Sequence, residues 1–155
     1  MREEIRISYE KLHLSELTGQ EQILVKKARE VSEHAYAPYS KFKVGASVLL
    51  ENGEIITGSN QENIAYPSGL CAERVALFAA GSQFPGVRAL TMAIVAEGAL
   101  LPDGAALSPC GGCRQVMCES EMRQDSPIRI ILVDKNDQST IFYAATDLLP
   151  LTFGK

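Results

Sequence analysis

Dense runs of lysine and arginine are missing from these 155 residues, and the formal charge is -4, so the surface poorly serves a polyanion held by counterion release. No stretch reaches the length of apolar run that crosses a bilayer, and the opening Met1-Arg-Glu-Glu-Ile-Arg is charged where a secretory leader would be apolar. The expectation is a cytoplasmic protein with neither nucleic acid nor membrane as partner. Low-complexity tracts, internal repeats and linkers are also missing. With 46% hydrophobic and 22% charged residues, the chain has ordinary globular composition and is expected to form a single domain, 1–155. Histidine is scarce: His13 and His34 lack metal-ligand spacing and are assigned no chemistry. Cysteine is scarce too, and its uneven placement at 71, 110, 113 and 118 suggests reduced thiols at a metal more than a disulfide framework.

The elements follow from pattern. Thr18-Gly-Gln-Glu21 reads as a capping box opening a helix in which Ile23, Leu24, Ala28, Val31 and Ala35 recur at helical spacing. Phe42, Val44, Ala46, Val48 and Leu50 alternate as a strand, and Asn52-Gly53 gives a two-residue hairpin signal before Ile55-Ile56-Thr57. Residues 71–80 favour helix and end at Gly81, whereas Ala89–Ala96 is an apolar run suited to a buried central strand. A third helix starts near Ser108-Pro109, with serine as cap. Ile128–Val133 and Thr140–Tyr143 form a closing hairpin across the short polar link 134–138. Helix, two strands, helix, strand, helix and two strands predict an α/β fold with a five-stranded mixed sheet and helices packed on its faces.

Chemistry concentrates at Cys71-Ala-Glu73-Arg74 and at Ser108-Pro-Cys110-Gly-Gly-Cys113-Arg-Gln115. Each cluster starts a predicted helix, where unpaired N–H groups and a partial positive charge favour thiolate over thiol. Cys110 and Cys113 on one first turn and Cys71 from another can converge on one Zn²⁺ and leave its fourth tetrahedral position open for water, as a catalytic site requires. Glu73, two residues beyond Cys71, reaches that position without ligating and suits a proton shuttle. Three thiolates give the zinc centre a net negative charge, which Arg74 offsets by donating hydrogen bonds to a ligand sulfur. Cys118 lies roughly 140° around the helix from Cys113 and belongs to the core.

Four further segments join these into a pattern: Tyr36-Ala-Pro-Tyr-Ser-Lys-Phe42-x-Val44-Gly45-Ala46, Asn60-Gln-Glu62-Asn63, Tyr66-Pro-x-Gly69 leading into Cys71, and Leu148-Leu-Pro-x-x-Phe153. Over roughly residues 22–153 the chain resembles the short, homotetrameric, three-cysteine cytidine deaminases. The resemblance implies a three-layer α/β/α sandwich and hydrolysis of cytidine and 2′-deoxycytidine to uridine and 2′-deoxyuridine, with release of ammonia, in pyrimidine salvage. It implies that Phe42 packs on the pyrimidine, that Asn60 and Glu62 hold the ribose hydroxyl, and that the Ala72 backbone reads the base. It further implies that Phe153 meets the base bound by a neighbouring subunit of a homotetramer with shared sites. A carboxylate facing the sugar also repels phosphate, which favours a free nucleoside. The chain departs from the pattern in a 1–20 extension, whose Ile5, Ile7, Tyr9 and Leu12 can pack on a subunit, and in polar Gln61 between Asn60 and Glu62.

Two rivals keep the motifs. A non-catalytic zinc module requires Cys118 as fourth ligand. A deaminase of another aminated heterocycle keeps the core but has no use for the Asn60/Glu62 pair and Phe153.

Overall fold

The computed structural model describes residues 1–101 and 105–154; the other four positions of the expected domain lie outside them. The described residues form one mixed sheet of strands β1 (Glu10–His13), β2 (Lys43–Leu50), β3 (Ile55–Ser59), β4 (Ala89–Glu97), β5 (Arg129–Val133) and β6 (Gln138–Phe142), in the order β1-β6-β5-β4-β2-β3. β4 and β5 pair in parallel, and the other neighbours are antiparallel. Three α-helices accompany them: α1 (Gly19–Ser32), α2 (Ala72–Gln83) and α3 (Gly111–Gln124).

The sheet therefore has six strands and not the expected five. The additional strand, β1, comes from the 1–20 extension and pairs Leu12 with Ser139 on β6. Its sequence, Glu-Lys-Leu-His, is too short and too charged to announce a strand, and only contact with β6 makes it one. Leu12 packs on the core, and the Tyr9 ring lies 5.6 Å from that of Phe142, while Ile5 and Ile7 stay exposed.

Successive residues of the central strands face two clusters, as the strand period of two demands. Val48, Ile94, Ile130 and Leu132 pack with Ala76 and Leu77 of α2 and Met117 of α3. Leu49, Val95, Ile131 and Val133 pack with Leu24, Val25 and Ala28 of α1. Each such aliphatic side chain stabilises the fold by about 1.5–3 kcal/mol through burial. Of the expected inward positions of α1, Leu24 and Ala28 are buried, but Ile23 is 51% exposed with Val25 buried instead, and Ala35 lies beyond the end of the helix at Ser32. The expected capping box is present, with the Glu21 N–H donating to Thr18 Oγ1 and the Thr18 N–H to Glu21 Oε2. The other Glu21 oxygen accepts from Arg129 Nε at 2.7 Å, tying the start of α1 to β5.

Three boundaries differ from the sequence reading. The β2–β3 turn is not a two-residue loop: Gly53 alone takes positive φ, +88°, and its N–H donates to the Leu50 carbonyl while the Leu50 N–H donates to that of Glu54. A two-residue type I′ turn needs positive φ at both central residues, and Asn52 does not adopt it. α2 runs through Gly81 to Gln83, since Gly81 keeps φ below zero and the stop comes from Phe84 and Pro85. The cap of α3 is Cys110 and not Ser108; the Ser108 hydroxyl instead accepts from Arg114 Nη2.

Gly45 on β2 lets α1 come close, because a Cβ there would stand 1.9 Å from the Ala28 carbonyl oxygen. Gly58 on β3 does the same for α2, where a Cβ would meet the Ala76 nitrogen at 2.5 Å and the Ala72 oxygen at 2.8 Å. Gly81, by contrast, has open space around it. Gly45→Ala is expected to destabilise the protein by at least about 2 kcal/mol through overpacking, and Gly81→Ala to stabilise it by about 0.5–1 kcal/mol as a helix-interior replacement. Urea unfolding of the two variants beside the parent checks the opposite signs.

Candidate active site

Cys71 and Cys110 are the N-caps of α2 and α3, both with extended backbone (ψ 154° and 164°). Their side chains leave the chain where each helix begins, and both helices pack on the same sheet face. Cys113 is buried in the first turn of α3. The Cys110–Cys113 sulfurs are 3.5 Å apart, the Cys71–Cys110 sulfurs 3.9 Å, and all three lie within 4.8 Å of one another. A tetrahedron of sulfurs about one zinc has edges of about 3.8 Å for a Zn–S bond of about 2.3 Å, so the donor set fits that ion. The three thiols hydrogen-bond to one another. Hydrogen bonding from Cys113, aided by Arg74, lowers the Cys71 thiol to about 5, and the same bond to Cys71, with burial, pushes Cys113 up. A bound divalent cation replaces those protons.

Glu73, on the first turn of α2, is 4% exposed, and its Oε2 is buried without a hydrogen-bond partner. Burial pushes its carboxyl up to about 7, and the neighbouring Cys71 charge pushes the same way against its own backbone N–H. A metal cation alongside would draw it down again. Arg74 directs Nη2 to the Cys71 sulfur at 3.7 Å, the contact expected of it, and keeps a buried Nε without a partner. Two orphaned polar atoms beside a thiol cluster are what a site built for further ligands shows.

Phe42, Asn60, Glu62, Cys71, Glu73, Arg74 and Cys110 line one cleft of about 690 Å³, within the size range of small-molecule sites. Asn60 is bonded on both sides of its amide: Oδ1 accepts from the Val44 N–H and Nδ2 donates to the Phe42 carbonyl, each at 2.8 Å. It ties Phe42, just before β2, to the first residues of that strand and keeps one N–H and one lone pair for another partner. Glu62 Oε2 accepts from the Tyr39 and Ser40 N–H groups at 2.9 and 3.2 Å. Hydrogen bonds from Ser40 and from these amides hold its carboxyl below the usual range, so it is charged at neutral pH. Ala72 is fully buried and is absent from the cleft lining. Phe153 is also absent from it; its ring is 87% exposed.

Several contributors were not foreseen. The backbone of Tyr39 and Ser40, inside the 36–46 segment, holds Glu62, a contact the segment does not announce, and Leu100 and Leu107, which no motif marks, form apolar wall. Arg114 binds the ligand loop, donating through Nε to the Pro109 carbonyl and through Nη1 to that of Leu148, each at 2.9 Å. Its place beside Cys113 was a signal, but its partner on 148 was not legible. Cys118 is buried, and its S–H donates to the Ala145 carbonyl at 3.4 Å, away from the thiol cluster. His13 caps the turn at 14–16 and His34 is exposed.

Three sulfurs at zinc-ligand separations with a buried carboxylate beside them at a cleft define, among the described residues, the site of a zinc-binding protein. Residues 18–125 match the family model described as the cytidine and deoxycytidylate deaminase zinc-binding region. A cytidine deaminase of Halalkalibacterium halodurans is 46% identical over 63% of this chain and 70% of its own length. One from Mycobacterium tuberculosis is 43% identical over 66% of this chain and 74% of its own. The crystal structure of cytidine deaminase from Burkholderia pseudomallei superposes with a TM-score of 0.73 at 36% identity, covering 88% of this chain and 100% of that one. The chain belongs to the cytidine and deoxycytidylate deaminase family.

Cys113→Ala is expected to lower bound zinc from one per chain to near zero, because two sulfurs cannot hold the ion against solvent and buffer. Cys118→Ser is expected to keep full zinc. Metal analysis after gel filtration checks both, and loss of zinc from the Cys118 variant would favour a closed structural site.

Proposed function

We infer that this protein hydrolyses the 4-amino group of cytidine and 2′-deoxycytidine, giving uridine or 2′-deoxyuridine and ammonia, as a zinc-dependent step of pyrimidine salvage. The observation that carries the reading is the buried Glu73 carboxylate, with one oxygen unpartnered, beside three sulfurs at metal-ligand separations and at the edge of a cleft of nucleoside size.

In this reading Cys71, Cys110 and Cys113 hold the zinc, which when bound supplies the Lewis acidity that makes a water nucleophilic near neutral pH. Glu73 accepts the proton that this water gives up and passes it to the ring nitrogen next to the reacting carbon. A carbon–oxygen bond forms and the carbon–nitrogen bond breaks. Glu73 then takes the remaining proton of the added hydroxyl and hands it to the amine, so that the oxygen becomes a carbonyl and the amine leaves as ammonia. A carboxyl that exchanges a proton near neutral pH suits both halves of the cycle. Arg74 offsets the charge of three thiolates through Cys71.

Phe42 supplies the flat wall for the pyrimidine, and Asn60 and Glu62 the polar end for the ribose. Glu62, held ionised by two amides, accepts from a sugar hydroxyl and repels a phosphate, which supports a free nucleoside as substrate over a nucleotide or a polynucleotide. Ala72 reads the base through its backbone. The exposed Phe153 ring meets the substrate of a neighbouring subunit, and the assembly is a homotetramer with shared sites; the exposed Tyr36, Tyr39, Ile64 and Tyr66 supply apolar surface for such contacts. The chain is one domain, a three-layer α/β/α sandwich, as the two clusters on alternate strand residues support. No helix among the described residues is long and apolar enough to cross a membrane, and the reading places the enzyme in the cytoplasm.

Ammonia release from cytidine by the purified protein tests the activity, and Glu73→Gln tests the shuttle. The variant is expected to lose at least about a thousandfold in kcat, within the range for general acid–base catalysis, with zinc content unchanged. No release from either nucleoside by a folded, fully zinc-loaded parent would overturn the substrate assignment in favour of another aminated heterocycle.

A further inference from the structure

The last residues combine a fixed backbone with a free side chain. The Phe153 carbonyl accepts from Gln115 Nε2 at 2.7 Å, while the Phe153 ring is 87% exposed. Three other features hold the tail. The Leu148 carbonyl accepts from Arg114, the Thr152 hydroxyl donates to the Leu149 carbonyl at 2.7 Å, and Leu151 adopts φ +57°, which turns the chain. A Cβ on Gly154 would stand 2.8 Å from the end of the Met122 side chain. Gln115 and Met122 are seven residues apart, hence on one face of α3, so the tail runs along that face. A terminal aromatic left to solvent gains nothing from burial, and ordering its backbone costs conformational entropy. The arrangement makes sense when the ring is held out for something it meets.

We propose that Gln115 is a positioning residue for substrate binding, fixing the C-terminal segment so that the Phe153 ring is presented to the substrate cleft of a second copy of this chain. The inference rests on the reading that Phe153 contacts a neighbour's substrate. Gln115 lies two residues beyond Cys113 on the same helix, so the start of one helix serves two clefts, its own through the metal ligands and the neighbour's through the tail. Loss of the Gln115 bond frees the tail and lowers the fraction of time that the ring is in place, which weakens binding in the ground state and transition state alike. KM then rises while kcat holds.

Steady-state kinetics with cytidine on the zinc-loaded protein, for Gln115→Ala, Gln115→Glu, Phe153→Ala and the Gln115→Ala/Phe153→Ala double variant, tests this. Gln115→Glu keeps the volume of the side chain and removes its donor, since a carboxylate cannot donate to a carbonyl. Both Gln115 variants are expected to raise KM roughly threefold to tenfold, the scale of one neutral hydrogen bond, with kcat within about twofold of the parent and zinc unchanged. The double variant is expected to match Phe153→Ala, because the tether has no purpose once the ring is gone. A raised KM in Phe153→Ala with parental KM in both Gln115 variants overturns the proposal. So does a fall in zinc or kcat at parental KM in the Gln115 variants, which would make Gln115 a support for the ligand helix. Parental KM in Phe153→Ala overturns the underlying reading as well, and is recognised separately because it does not involve Gln115.

Discussion

The site depends on two helices beginning at one place on one face of the sheet. A cysteine at an N-cap projects from the point where the chain changes from extended to helical. When α2 and α3 start side by side, Cys71 and Cys110 therefore meet, and Cys113 joins them one turn later. The two sets of unpaired N–H groups at those starts favour negative sulfur, so the feature that brings the ligands together also prepares them for a cation. Gly58 contributes at one remove: it lets α2 settle closely on β3. Displacement of either helix by a fraction of a sulfur–sulfur contact would open the triangle.

The same packing decides the chemistry of Glu73. A carboxylate on the first turn of an exposed helix is stabilised by the dipole and fully hydrated. Here burial against the sheet removes the hydration and leaves one oxygen with no partner. The cleft residues on the far side are treated oppositely. Glu62 receives two backbone donors, and Asn60 is bonded to the Val44 N–H and to the Phe42 carbonyl just before β2. One carboxyl is thus kept ready to exchange a proton and the other kept charged, a division set by what surrounds each group.

Much of this was legible in the sequence. The thiol motifs, the capping box, the central strand β4 and the closing hairpin rest on local chemistry or on periodicity, and local rules are readable from neighbours. What escaped was set by distant contact. β1 is a strand only because β6 lies beside it, and Leu12 alone among its four residues shows an inward side chain. Cys110 replaces Ser108 as a cap because Arg114 claims the serine hydroxyl, a competition invisible in a one-dimensional pattern. The bonds of Asn60 to the Phe42 carbonyl and the Val44 N–H likewise join segments distant in sequence, which its motif does not announce. The roles of Phe42, Asn60, Glu62, Ala72 and Phe153 came from resemblance and follow from no local chemical rule.

Strand β1 also bears on the order in which the molecule is completed. Glu10 pairs with Ile141, so a segment that precedes α1 finds its partner only after all three α-helices have been made. Until then the N-terminal arm is unpaired, and its isolated, charged four-residue stretch has little tendency to adhere to other chains. Once β6 forms, the arm closes over an edge that would otherwise offer free backbone groups to a second molecule. The weak strand character that hid β1 from the sequence reading is thus an advantage during synthesis, because the segment stays inert until its one partner exists.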